Sequence, residues 1–164
     1  MNHITRWDLR LSQLCLLHGY NQLQARLSRL ISRTGDGPLY LLLALGLAWW
    51  DGARGQLFLL TGLTTFAIEL PLYLLLKNRI KRERPSGLPV FIRPSDRYSL
   101  PSGHTAAAFV MACLVANFYP AAAAGAFLWA LFIGASRLLL GVHYLTDLIA
   151  GALLGASCAG LVLL

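Results

Sequence analysis

Three short stretches carry residues whose types and spacing could do chemistry. "KNRIKRERP" (77–85) holds Lys77 and Arg84 seven positions apart, about two helical turns, so both can project from one face. "PSGH" (101–104) sets Ser102, Gly103 and His104 at the mouth of an apolar run. A helix starting there offers unpaired N–H groups and the positive end of a dipole. "SRLLLGVHYLTD" (136–147) places Arg137 six positions before His143 and Asp147 four after it. A carboxylate at that spacing can reach one imidazole nitrogen, fix its tautomer and stabilise the imidazolium. Arginine presents a planar fork to phosphate oxygens, and lysine a point charge. A histidine backed by a carboxylate can attack phosphorus while another protonates the leaving oxygen.

Each residue also has an ordinary structural reading. Ser102 can be a plain N-cap, Lys77 and Arg84 can snorkel from helix ends, and His143–Asp147 can be a satisfied helix pair. What separates the two readings is the set of elements that carries the stretches. Of 164 residues, 57% are hydrophobic and 13% charged, and the mean hydropathy is +0.60. That composition belongs to membrane proteins. Residues 56–76 hold a single charge in 21 positions, enough to cross a hydrocarbon core of about 30 Å. Residues 103–120, 121–140 and 142–164 read the same way, with Tyr119–Pro120 as a turn between the first two. Residues 38–50 are short for a span but end in Trp49 and Trp50, suited to the interface.

The first 35 residues differ, because leucines near helical spacing alternate with Arg10, Gln13, Asn21, Gln22, Arg26 and Arg29. This pattern predicts an amphipathic helix lying in the interface, and it lacks the clean apolar core and cleavage site of a signal peptide. "TGDGP" (34–38) then reads as a turn through Asp36, with Pro38 opening the next helix. The expected fold is therefore all-α: a polytopic transmembrane bundle of about five spans plus an N-terminal amphipathic interfacial helix. A single domain covers 1–164, with 1–35 interfacial and 36–164 the transmembrane catalytic core.

Connectivity puts the three stretches on one membrane face. The span ending near Leu76 delivers the first, the loop returns at "PSGH", and two further crossings come back at "SRLLLGVHYLTD". Much of the net charge of +7 falls there, in Lys77, Arg79, Lys81, Arg82, Arg84, Arg93 and Arg97. Nothing supplies a reading element for nucleic acid. Charged groups so close to a bilayer are functional candidates by default. Gly141, between Arg137 and His143, permits an irregular junction. Cys15, Cys113 and Cys158 are isolated in apolar stretches and read as packing residues, neither a disulfide framework nor a zinc site.

In these motifs, K-x6-R-P at 77–85, P-S-G-H at 101–104 and S-R-x5-H-x3-D at 136–147, the chain resembles the type-2 phosphatidic acid phosphatase superfamily, which shares its pocket with vanadium haloperoxidases. All three blocks are intact and in order, and the resemblance covers roughly residues 30–164. It implies that His143 is a nucleophile forming a phosphohistidine, that Asp147 orients it, and that His104 is the general acid. It also implies that Lys77, Arg84, Arg137, Ser102 and the Gly103 amide hold the phosphate oxygens, with no metal and no cofactor. The partner is then a lipid phosphate or diphosphate in the bilayer. Compact relatives act on undecaprenyl diphosphate, the favoured substrate here, or on phosphatidylglycerophosphate, phosphatidic acid or diacylglycerol pyrophosphate.

Two other functions compete: a non-catalytic membrane protein binding phospholipid head groups, and vanadate-dependent oxidation. The first would be marked by loss of a histidine or of Asp147. Members of the second type are soluble and much larger. Outside the motifs, Glu69 lies in an apolar span two positions before Pro71. It is either protonated against a neighbouring helix or a support for Lys77. Asp36 is a turn residue or stands at the rim of the site. His3 and His18 have no partner at useful spacing. The positive-inside rule would put the basic face in the cytoplasm, whereas bacterial relatives work on the outer side. The expected location is a bacterial inner membrane with the active site facing out.

Overall fold

The computed structural model describes residues 3–19, 21–94 and 96–164, with side chains from residue 5 onward, so the expectation that His3 has no partner lies outside the described residues. Among them are seven α-helices and no strand: α1 (His3–Leu16), α2 (Asn21–Arg33), α3 (Gly37–Trp50), α4 (Gly52–Ile80), α5 (Gly103–Phe118), α6 (Ala123–Leu139) and α7 (Leu145–Leu163). A 3-10 turn at Pro120–Ala122 joins α5 to α6, at the expected Tyr119–Pro120 turn.

Three segments are long and apolar enough to cross a membrane: α4, residues 120–139, and α7. The five expected spans thus resolve into three long helices and two short apolar ones, α3 with 14 residues and α5 with 16. At 1.5 Å per residue the short pair reach only about 21 and 24 Å. α5 tolerates this because it packs against α4, α6 and α7 and so meets protein rather than lipid. Large apolar side chains such as Leu57, Leu60, Leu63 and Leu75 instead point outward from α4. In water they would make an aggregation-prone patch; acyl chains accommodate them.

The close contact of α7 with α5 uses small residues. A Cβ on Gly155 would lie 2.1 Å from the Ala106 carbonyl oxygen, and one on Gly151 would lie 2.5 Å from that of Ser102. Only a small-xxx-small face lets α7 come this close to α5. The approach brings the start of α5 against the start of α7, where the Ser102 N–H donates to the Asp147 carbonyl at 3.0 Å.

Two local expectations are corrected. The N-terminal interfacial segment is two helices, not one. Between them, Gln24 Nε2 donates to the Cys15 carbonyl at 3.0 Å and His18 Nε2 lies 2.7 Å from Gln24 Oε1. This local network folds the chain back, and it gives His18 the partner that spacing alone did not reveal. The helix carrying Lys77 also ends at Ile80, four residues before Arg84, with Lys81 left-handed at φ 52°. The ring of Pro85 would collide with the carbonyl four residues earlier and forbids helix at Arg84, so the helix must stop before the motif is complete. Lys77 and Arg84 therefore do not share a helical face. Pro71 lies inside α4 without ending it. Gly141, at φ 75°, makes the irregular junction between α6 and α7.

Candidate active site

The three motif stretches meet at one end of the bundle, around the first turn of α5. Ser102 is its N-cap residue but makes no side-chain cap bond; its buried hydroxyl accepts from Thr105 Oγ1 at 2.9 Å. The first-turn N–H groups are thus left to a ligand, as an anion site requires. Gly103 has its own steric cause, since a Cβ there would lie 3.0 Å from the Tyr73 ring.

His143 stands between the helices, in the Gly141 junction, and is buried. Its Nδ1 faces Asp147 Oδ2 at 3.7 Å, just beyond hydrogen-bond length, and its Nε2 lies 3.4 Å from Arg84 Nη1. Asp147 is held from two sides: Oδ2 accepts the Tyr144 N–H at 2.8 Å in a capping box, and Oδ1 accepts Arg82 Nη1 at 2.7 Å. Burial pushes the His143 pKa down to about 4, with Arg84 and Arg137 adding to the effect and Asp147 opposing it. A neutral imidazole with one nitrogen toward a carboxylate and the other toward cations is suited to nucleophilic attack through Nε2.

Arg84 also donates to the Val142 carbonyl and, through Nη2, to Asp96 Oδ1 at 2.7 Å. Lys77 Nζ donates to Asp96 Oδ2 at 2.8 Å and to the Tyr73 hydroxyl at 2.6 Å. Its support therefore comes from Asp96 and from Tyr73 one turn back. Glu69, another turn back, is buried and lines a groove with Tyr73, Phe66, Gly103 and His104. Arg137 is buried on α6 and donates to Ser32 Oγ at 2.6 Å, while its Nε has no partner among the described residues. It opens into a cavity shared with His104, Asp36, Arg29, Arg33 and Arg93.

His104 is not without a carboxylate. Its Nε2 lies 3.1 Å from Asp36 Oδ1, so the turn residue stands at the rim of the site and reaches the imidazole across the bundle. Asp96, Arg82 and Asp8 escape a motif reading altogether. The only sequence signal of the two carboxylates is isolation: Asp8 is the one acidic residue among the first 35, and Asp96 the one in the loop 85–101. A lone carboxylate among many cations is a candidate partner for them.

A family model described as the PAP2 superfamily matches residues 56–164. The chain belongs to the PAP2 superfamily. The matched region holds all three motif stretches, α4 from residue 56 onward, and α5 to α7. Two solved structures are similar to this PAP2 chain over nearly its whole length. A transmembrane PAP2-type phosphatidylglycerolphosphate phosphatase from Bacillus subtilis is 27% identical with a TM-score of 0.79, over 99% of this chain and 85% of that one. LpxE of Aquifex aeolicus is 26% identical with a TM-score of 0.83, over 94% of this chain and 93% of that one. The protein has the fold of a membrane PAP2 lipid phosphatase.

Proposed function

We propose that this PAP2 protein removes the terminal phosphate of a lipid diphosphate, with undecaprenyl diphosphate as the best candidate, through a phosphohistidine and without a metal. The observation that carries this is the convergence of Lys77, Arg84, Arg137, His104 and His143 around the uncapped start of α5. In this reading, Lys77, Arg84, Arg137, Ser102 and the Gly103 amide hold the phosphate oxygens. His143 Nε2 attacks phosphorus in line, and Asp147 carries the charge that develops on the imidazole. His104, paired with Asp36, gives a proton to the leaving oxygen and then takes one from the water that cleaves the phosphoenzyme.

The diphosphate is favoured by the cavity on the His104 side. Arg29, Arg33 and Arg93 line it beside Arg137, so a leaving group there meets positive charge, as a lipid monophosphate would and a neutral alcohol would not. The groove past Glu69 and Phe66 continues between α3 and α4 along Tyr40, Leu59 and Leu63, giving an apolar tail a path into the bilayer. Phosphatidylglycerophosphate is the second reading, supported by the activity named for the Bacillus subtilis relative. Phosphate release from a panel of lipid mono- and diphosphates, in excess EDTA, tests both: turnover of the diphosphate above all monoesters supports the first reading, and the reverse order rejects it.

We place the site on the outer face of a bacterial inner membrane. Arg82, Arg84 and Arg137 are engaged within the site, so their position follows from chemistry and carries no orientation signal. Labelling of Arg97→Cys by an impermeant maleimide in intact cells checks this; protection until the membrane is opened would reverse it.

A further inference from the structure

The carboxylate that faces His143 is gripped by a network that begins in α1, outside the matched family region. α1 turns Asp8, Ser12 and Leu16 inward, spaced by four, and exposes Trp7 and Leu14. Asp8 is only 2% exposed, an expensive place for a charge unless it is fully paired. Its pairing is specific. Oδ2 accepts Arg82 Nη2 at 2.7 Å and the Thr146 hydroxyl, and Oδ1 accepts the Thr146 N–H at 3.2 Å. The same guanidinium sends Nη1 to Thr146 Oγ1 at 2.6 Å and to Asp147 Oδ1 at 2.7 Å. It also lies 4.4 Å from the centre of the Tyr144 ring. Arg82 thus has one hand on each carboxylate, and both Asp8 contacts beyond it fall on the residue next to Asp147.

We propose that Asp8 is a positioning residue for phosphoryl transfer: through Arg82 and Thr146 it fixes the carboxylate that orients His143. The proposal rests on the phosphatase reading for its kinetic consequence but on geometry alone for the orientation. A single guanidinium held at two points cannot swing; released from Asp8, it keeps its bond to Asp147 and is free to pull that carboxylate out of line. The interfacial helix α1 is then part of the catalytic apparatus, and its seating in the membrane surface is transmitted to His143.

The test uses the full chain in detergent or nanodiscs. Asp8→Asn is expected to lower kcat about tenfold with KM within about twofold, a coupling typical of residues in one ion network. In an Asp147→Asn background the same change is expected to cost nothing further, because the carboxylate through which Asp8 acts is gone. Arg82→Lys keeps the charge and loses the two-pronged grip, so it should reproduce the loss and serves if Asp8→Asn does not fold. Full kcat in either variant, or an equal loss in both backgrounds, overturns the proposal. A wild-type protein inert toward every lipid phosphate overturns the phosphatase reading instead. In that case histidine 15N spectra still decide the positioning: a single His143 tautomer in wild type that becomes mixed in Asp8→Asn supports it, and an unchanged signal rejects it.

Discussion

The ammonium of Lys77 and the carboxylate of Asp96 are 2.8 Å apart, with Arg84 closing on the same carboxylate from its other oxygen at 2.7 Å. Burial alone would raise the Asp96 carboxyl, but hydrogen bonds from Lys77, Tyr73 and Arg84, with the Lys77 charge, bring it down to about 2. It is therefore ionised throughout the working range and bound to two cations assigned to the substrate phosphate. A phosphate must compete with it. Asp96→Asn is expected to tighten binding of inorganic phosphate and vanadate by roughly tenfold, about 1.4 kcal/mol. Isothermal titration checks this; unchanged or weaker binding would mean that Asp96 organises the cations instead of competing for them.

The two histidines should fail differently, because Asp147 backs His143 whereas Asp36 pairs with His104. His143→Ala is expected to trap no phosphoenzyme and to release no phosphate from any substrate. His104→Ala loses a proton donor, commonly worth about 10²–10⁴-fold. Its defect on a lipid monoester, whose alkoxide leaving group needs a proton, should shrink with p-nitrophenyl phosphate, whose leaving group does not. Acid-labile phosphate after rapid quench is the decisive measurement. Finding it on His143→Ala and not on His104→Ala would exchange their roles.

Burial of neutral His143 makes stability depend on pH with a definite sign. Its pKa is about 4 in the folded protein against an ordinary 6.5, so between those values the unfolded chain binds more protons than the native one. The contribution is complete above pH 6.5 and is lost as pH falls toward 4. Thermal midpoints from pH 8 to 4 should fall more steeply for wild type than for His143→Gln, and parallel curves would refute the assignment.

Vanadate should inhibit and EDTA should not. Five-coordinate vanadate mimics in-line phosphoryl transfer, and transition-state mimics bind more tightly than substrate. In the proposed mechanism Lys77, Arg84 and Arg137 supply the positive charge that an ion would otherwise bring. Turnover abolished by EDTA and restored by magnesium would defeat the metal-free mechanism, and full activity at millimolar vanadate would defeat the assigned pocket.

By itself the sequence determined the apolar helices and the three stretches that meet at the site. Those features are local: hydrophobic runs set by the bilayer, a helix start after Pro101, and motif spacings within about a dozen residues. Even the common membrane face followed from counting crossings. Apart from Asp147, which spacing already set beside His143, tertiary structure alone decided which carboxylates those residues meet. Asp36 reaches His104 across 68 positions, Asp96 reaches Lys77 across 19, and Asp8 reaches Thr146 across 138. No periodicity encodes such pairs, because an ion pair is selected by where buried charges come to rest once the helices have packed, and each must then find a partner. The turn at Lys81 is the same kind of case. A proline announces that α4 must stop, but only the packed bundle decides that Arg82 turns to Asp8 and Asp147 while Arg84 turns to Asp96 and His143.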